Sequence, residues 1–161
     1  SKVDIPYFTE AYDAGMEIIN AETWAAFGEL VSTGKVGEDV SLRLIRAQES
    51  QGKRVVEAEK VRARFTRAVD LLLEEYTFLL LPTMPSLPVA LKDAEDTKAL
   101  LNITSLVRPF NLSGHPAINI PLNHIDGPVG IQIIAKKGAD EALCAIALEL
   151  ENRFRATTEE K

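Results

Sequence analysis

A serine and a histidine two residues apart are the first candidates for chemistry in this chain. Ser113 and His115 flank Gly114, and side chains two apart on an extended backbone point the same way, as a Ser-His-Asp hydrolase would need. A serine nucleophile also requires a sharp turn and oxyanion donors, and the sequence contains no Gly-x-Ser-x-Gly motif. We therefore favour the alternative, in which His115 is a loop histidine whose ring bonds to the backbone.

Metal and phosphate sites have less support from the sequence. The two histidines and the single cysteine, Cys144, match neither a His-Glu-x-x-His nor a Cys-x-x-Cys spacing, so we predict no metal site. Phosphate-binding loops need clustered glycines, because a backbone without side chains can crowd its amides around an anion. The chain has no Gly-Gly pair and no Gly-x-Gly, which argues against a nucleotide-binding loop.

Composition narrows the class of protein further. The 161 residues carry 18 basic and 24 acidic side chains, a net charge of −6, which argues against nucleic acid or an anionic membrane as partner. A single cysteine cannot form an internal disulfide. The opening residues Ser1 to Asp4 lead into no apolar segment typical of a signal peptide. We expect one cytoplasmic domain with no membrane contact.

Proline divides the chain into two parts. Seven of the eight prolines lie at or after Pro82, and proline-free sequence with apolar residues three and four apart predicts helix, so residues 1–76 should be mainly helical. The predicted helices are Ala21–Leu30, ending near Gly34, then Asp39–Ala47, then Lys53–Tyr76.

Residues 77–161 instead predict strands and a final helix. The apolar run Thr77–Leu81 stops at proline and predicts a fully buried strand. Ala117–Pro121 and Val129–Ala135 predict two more strands, joined as an antiparallel pair by a turn at His124–Gly127. The last helix is expected to begin near Asp140, as its N-cap. The fold class is α/β: helices, strand, irregular linker, two antiparallel strands and helix.

Two proline-rich segments could contact a ligand. Residues 81–88 carry three prolines after a strand, and strand ends in α/β sheets are where ligands usually bind. Residues 108–117 lead into the second strand. The residues alone favour rigid connectors at both places.

Four short motifs follow one another along the second half of the chain. In order they are Leu81-Pro82-Thr83-x-Pro85; Pro109-Phe110-Asn111-Leu112-Ser113-Gly114-His115-Pro116-Ala117-Ile118; Gly127-Pro128-Val129-Gly130-Ile131-Gln132-Ile133; and Gly138-x-Asp140. This order resembles the C-terminal third of amidase signature family enzymes, and the resemblance covers nearly all 161 residues.

The resemblance implies an enzyme that hydrolyses a carboxylic amide. It also implies a fold with a large mixed sheet flanked by helices. Family members use a serine nucleophile, a bridging cis-serine and a lysine base, without metal or organic cofactor. Their nucleophile lies in a Gly-Gly-Ser-Ser-Gly-Gly-Ser-like loop, which this chain lacks. We therefore assign no catalytic residue. We expect residues 1–161 to be the C-terminal portion of an amidase, inactive without the N-terminal part that carries the catalytic segment.

The resemblance also implies that this portion supplies sheet strands and part of the wall of the substrate pocket. The residues expected to approach a small amide substrate are Thr83, Met84, Pro85, Ile103, Thr104 and Asn111. Two alternatives stay open. One is a non-catalytic binding or assembly module that docks a partner or forms a homo-oligomer, and the other is a small α/β hydrolase with its own site.

Overall fold

The computed structural model describes residues 1–88, 102–122 and 127–159, and from residue 155 onward the backbone alone. Within those ranges the elements are α1 (Phe8–Phe27), a 3₁₀ helix (Gly28–Thr33), α2 (Glu38–Ala47), α3 (Lys53–Glu75), β1 (Leu79–Pro82), α4 (Arg108–Ser113), β2 (Ala117–Leu122), β3 (Val129–Ile134) and α5 (Asp140–Glu159). This order confirms the α/β class. Contacts group the chain into two compact units, residues 1–68 and 69–161, which divide within α3.

The first unit is helical, but its first helix is longer than predicted. It begins at Phe8 rather than at Ala21, and the 3₁₀ helix after it ends at Thr33, which is followed by Gly34 with a φ of 64°. The buried face of α1 consists largely of small residues, Ala11, Ala14 and Gly15 together with Ile18. A search for large apolar residues at helical spacing misses such a face. The large apolar residues farther along do not extend this buried face, since Phe27 and Leu30 are exposed.

The other helices of this unit agree with the sequence. The predicted helices at Asp39–Ala47 and Lys53–Tyr76 are observed within one residue at each end. The buried Phe65 of α3 contacts Phe8 of α1, with ring centroids 6.1 Å apart and planes at 75°. This edge-to-face geometry is favourable for aromatic pairs and joins the two ends of the unit's sequence.

The second unit is built on a sheet of three strands with the order β1-β3-β2, and both pairs are antiparallel. The predicted antiparallel pairing of β2 with β3 is therefore confirmed. Residues 123–126, which include most of the predicted turn, lie outside the described residues. Helix α5 packs on one face of the sheet, where its Leu143 and Ala147 meet Ile120 and Ile133.

Strand β1 is not the fully buried strand that its apolar run predicted. It starts at Leu79, and while Leu79 is buried, Leu80 is 58% exposed. Alternate residues of a strand face opposite sides, and β1 is an outer strand of the described sheet. The two faces of β1 are therefore buried to different extents, and a run of apolar residues does not predict this difference.

The connector before β2 is also more ordered than predicted. Residues 108–113 form α4 instead of an irregular linker, with Pro109 in the first turn, where its missing N–H costs nothing. The helix ends at Gly114, whose φ of 70° is a left-handed conformation that glycine adopts without strain. These two residues set the bounds of a short helix, whereas the proline content of the segment had predicted an irregular linker.

Candidate substrate-pocket wall

A threonine and an asparagine meet across the middle strand of the sheet. Thr83, directly after β1, donates its backbone N–H to the oxygen of Gly130 in β3 at 2.9 Å. Its hydroxyl also donates a hydrogen bond to Oδ1 of Asn119 in β2. A Cβ at position 130 would lie 2.9 Å from the Thr83 hydroxyl oxygen, closer than such contacts normally come. The side-chain bond therefore depends on a glycine between the two outer strands.

A buried glutamine connects this face to the segment before α4. Gln132 pairs in register with Asn119, so their side chains lie on the same face of the sheet. Its Nε2 donates hydrogen bonds to the backbone oxygens of Pro82, at 3.2 Å, and Leu106, at 2.9 Å. One side chain thus holds the end of β1 and residues 102–107 together.

Five of the six residues predicted to contact substrate belong to the two segments that Gln132 connects. Thr83 is half-buried and is followed by the exposed Met84 and Pro85. In the other segment Ile103 is half-buried and Thr104 is exposed, and the Thr104 hydroxyl accepts a hydrogen bond from Arg108 at 2.6 Å. Their role in substrate binding remains a prediction.

Asn111 lies elsewhere. It lines a cavity of about 340 Å³ with residues of the α4–β2 connection and of the segment between β3 and α5, including His115 and Lys137. That cavity is near the end of β3, whereas Thr83 pairs with Gly130 near its beginning. The structure therefore does not bring Asn111 together with the residues around Thr83.

Ser113, His115 and Asp70 form a hydrogen-bonded chain in the order of a catalytic triad. The Ser113 hydroxyl lies 2.8 Å from Nδ1 of His115, and Nε2 of His115 lies 3.0 Å from Oδ1 of Asp70. The expectation that His115 would bond to backbone is wrong, because both ring nitrogens meet side chains. Asp70 is 45 residues away in sequence and reaches the ring from α3.

The protonation state of the His115 ring follows from its burial. Burial lowers the pKa of His115, against the opposing effect of the hydrogen bond that the ring donates to Asp70, and the positive charge of Lys137 lowers it further. A neutral ring that donates from Nε2 to the carboxylate must accept at Nδ1, so the Ser113 hydroxyl donates to the histidine. The Ser113 oxygen also lies 3.1 Å from the oxygen of Phe110, a second acceptor for the same proton.

Burial separates Ser113 from any substrate. The residue is 3% exposed, and the cavity that His115 lines does not include it. A nucleophile must touch the carbonyl that it attacks. The hydrogen bonds that connect Ser113, His115 and Asp70 therefore join α3 to the connection between α4 and β2. The burial of Ser113 argues against a catalytic role.

Within the described ranges, no group of three or more His, Cys, Asp or Glu side chains is arranged to bind a metal ion. None of the helices in those ranges combines the length and hydropathy that a bilayer crossing requires.

Sequence reasoning missed two residues of this face, Asn119 and Gln132. Each is a polar residue inside a strand of β-branched residues, as in Ala117-Ile118-Asn119-Ile120. A polar side chain at such a position must face solvent or find partners. That signal was available, but the sequence could not show which partners these two residues would meet.

Comparison with known proteins identifies similar folds and sequences. The chain is 27% identical, over 87% of its residues and 32% of the relative's length, to a glutamyl-tRNA(Gln) amidotransferase subunit from Archaeoglobus fulgidus. A crystal structure of an amidase is similar to this chain with a TM-score of 0.84 at 21% identity. The matched region covers 94% of this chain and 37% of the amidase chain. The structure of allophanate hydrolase from Kluyveromyces lactis is similar with a TM-score of 0.77 at 27% identity. That match covers 94% of this chain and 26% of the allophanate hydrolase chain.

The chain thus spans between about a quarter and somewhat more than a third of the length of these proteins. The sequence model of the Amidase family matches residues 3–144, which is most of the chain. The chain belongs to the Amidase family.

Proposed function

We propose that this chain is the C-terminal part of an enzyme that hydrolyses a carboxylic amide to an acid and ammonia or an amine. It supplies sheet strands and one wall of the substrate pocket, and the Ser-cisSer-Lys segment belongs to the N-terminal part. The observation that carries the proposal is the family match over residues 3–144, combined with coverage of only about a third of the relatives.

The absence of a usable nucleophile supports this division of labour. The chain contains no glycine-rich serine loop, and the serine that has a histidine partner, Ser113, is buried. Both observations favour catalytic groups that come from outside these residues.

The edges of the sheet also support it. In the described part of the chain β1 and β2 each pair with β3 alone, and unpaired strand edges in natural proteins are usually covered or paired. Leu80 of β1 is an exposed apolar residue beside the proposed pocket wall. The N-terminal part of the enzyme is the partner that would cover it.

The test is to assay the complete polypeptide and this chain alone for ammonia release from a panel of primary amides. We expect hydrolysis by the complete polypeptide and none by the chain alone. Ser113→Ala, made in the chain alone, is the matched control, because it removes the buried hydroxyl that pairs with His115.

Amide hydrolysis by the isolated chain that disappears in Ser113→Ala would show a hydrolase with its own site and contradict the proposal. An inactive complete polypeptide that binds a partner instead would favour an assembly module.

A further inference from the structure

The amide group of Asn119 has a donor beside the proposed pocket wall that no other described residue accepts. The Thr83 hydroxyl donates to Oδ1 of Asn119, which turns the Nδ2 group away from Thr83. Within the described residues Nδ2 has no hydrogen-bond partner, and Asn119 is exposed. A donor fixed in direction and open to solvent is suited to meet an oxygen of a ligand.

The surrounding backbone holds this donor in place. Thr83 is fixed by its backbone bond to Gly130, at 2.9 Å. Asn119 lies in a central position of β2 and pairs with the buried Gln132. An orienting partner of this kind reduces the side-chain entropy that a ligand would otherwise have to remove on binding.

The position of the donor matches the segments that the proposed function assigns to substrate. Thr83 precedes Met84 and Pro85, and Gln132, the neighbour of Asn119 on the same face, bonds to Leu106 in the second segment. Asn119 therefore lies on the face of the sheet to which both segments are attached.

We infer that Asn119 is a substrate-binding residue whose Nδ2 donates a hydrogen bond to an oxygen on the acyl side of the amide substrate, with Thr83 as its positioning residue. This inference rests on the proposed function. It implies that substrates with an oxygen acceptor on the acyl chain are preferred over hydrocarbon chains of equal length.

Asn119→Asp separates this role from a structural one. A carboxylate keeps an oxygen to accept the Thr83 hydrogen bond but replaces the donor with a second acceptor. If Asn119 served only to hold Thr83, the aspartate would replace it. If Nδ2 binds substrate, the aspartate faces the substrate oxygen with an unfavourable contact.

The experiment measures kcat and KM of the complete polypeptide with two primary amides of equal chain length, one ending in a methyl group and one in a carboxylate. For the carboxylate substrate we expect Asn119→Ala to raise KM about ten- to a hundredfold, the effect of losing one hydrogen bond to a charged acceptor, with kcat little changed. Asn119→Asp should raise KM further, while the methyl substrate is little affected by either change. Asn152→Asp on α5, an exposed site with the same change of charge, should leave both KM values unaltered.

Wild-type kinetics in Asn119→Asp, or equal losses with the two substrates, would overturn the inference while leaving the proposed function intact. A wild-type polypeptide that hydrolyses no amide would instead overturn the proposed function, and the inference with it. Melting temperatures of the variants identify any loss that comes from unfolding.

Discussion

The hydrogen-bonded chain from Ser113 through His115 to Asp70 has the order of a triad without an exposed nucleophile. Its chemistry is that of a buried polar contact: each member satisfies the next, and the histidine is held neutral by desolvation. At the scale of the residue, the same side chains can serve catalysis or stability. Solvent access to the hydroxyl separates the two roles.

This arrangement predicts a dependence of stability on pH. The folded state lowers the pKa of His115 below its ordinary value of 6.5, so below pH 6.5 the unfolded chain binds more protons than the folded chain. The free energy of unfolding should therefore decrease as pH falls from 7.5 towards 5, by at most about 1.4 kcal/mol per pH unit from this group. Urea unfolding at several pH values measures it.

The control for that measurement is His115→Gln, which cannot titrate. Its free energy of unfolding should be lower at pH 7.5 and should depend less on pH than that of the wild type. Equal slopes for the two proteins would show that His115 does not bind the proton.

Gly130 provides a second residue-scale prediction. A methyl group at this position would press on the Thr83 hydroxyl and the Asn119 amide, so Gly130→Ala should destabilise the chain by about 1–3 kcal/mol. The cost should be smaller in an Asn119→Ala background, because the obstructing side chain is gone. A double-mutant cycle by urea unfolding measures this coupling, and strictly additive effects would contradict it.

At the scale of the element, Gln132 determines how β1 and the segment before α4 meet. It is 2% exposed and donates to two backbone oxygens, those of Pro82 and Leu106. A side chain with two donors on one nitrogen can connect two such carbonyls, and a hydrophobic residue of the same size cannot. The strand and the connector therefore depend on each other through one side chain.

Replacing this glutamine should reveal that dependence. Gln132→Leu leaves two carbonyls without their donor and should lower the free energy of unfolding by about 2 kcal/mol or more. Gln132→Glu, of nearly identical shape, should cost more at pH 7, because a carboxylate would then face two oxygens. Part of that extra cost should disappear at pH 5, where the acid is more protonated.

Urea unfolding of the two variants at both pH values is the measurement. Equal stability of the glutamate and leucine variants at both pH values would show that the bonds to Pro82 and Leu106 do not form.

At the scale of the whole molecule, the proposed function makes the sheet and strand ends of the second unit one surface of a larger enzyme. Leu80 is exposed on β1, next to the segment of Thr83. We expect this strand to contact the N-terminal part of the amidase, since covering an exposed leucine beside a strand edge that is unpaired within the described residues stabilises the assembly.

The corresponding experiment supplies the N-terminal part in trans and measures recovered amide hydrolysis. Leu80→Glu should reduce the recovered activity by weakening association. Leu148→Glu changes an equally exposed leucine on α5 and should not reduce it. Equal losses in both variants would contradict a specific contact at β1.

Much of this molecule could be read from local patterns in the sequence. The alternation of apolar residues three and four apart predicted α3, and β-branched runs predicted β2 and β3, because both periodicities come from backbone geometry within a few residues. The four ordered motifs also led to the family without any coordinates. Where small residues form the buried face, as at Ala11 and Ala14 of α1, the same method failed.

The remaining features were decided by contacts between distant parts of the chain. Thr83 and Asn119 are 36 residues apart, and Asp70 and His115 are 45 apart. No local pattern encodes which strands become neighbours, and the pairing of β1 with β3 determines both the Thr83 contact and the exposure of Leu80. The sequence alone determined the family and most of the elements. Only the tertiary structure decided which polar groups are buried with a partner and which remain exposed, because the free energy of a polar group depends on what surrounds it.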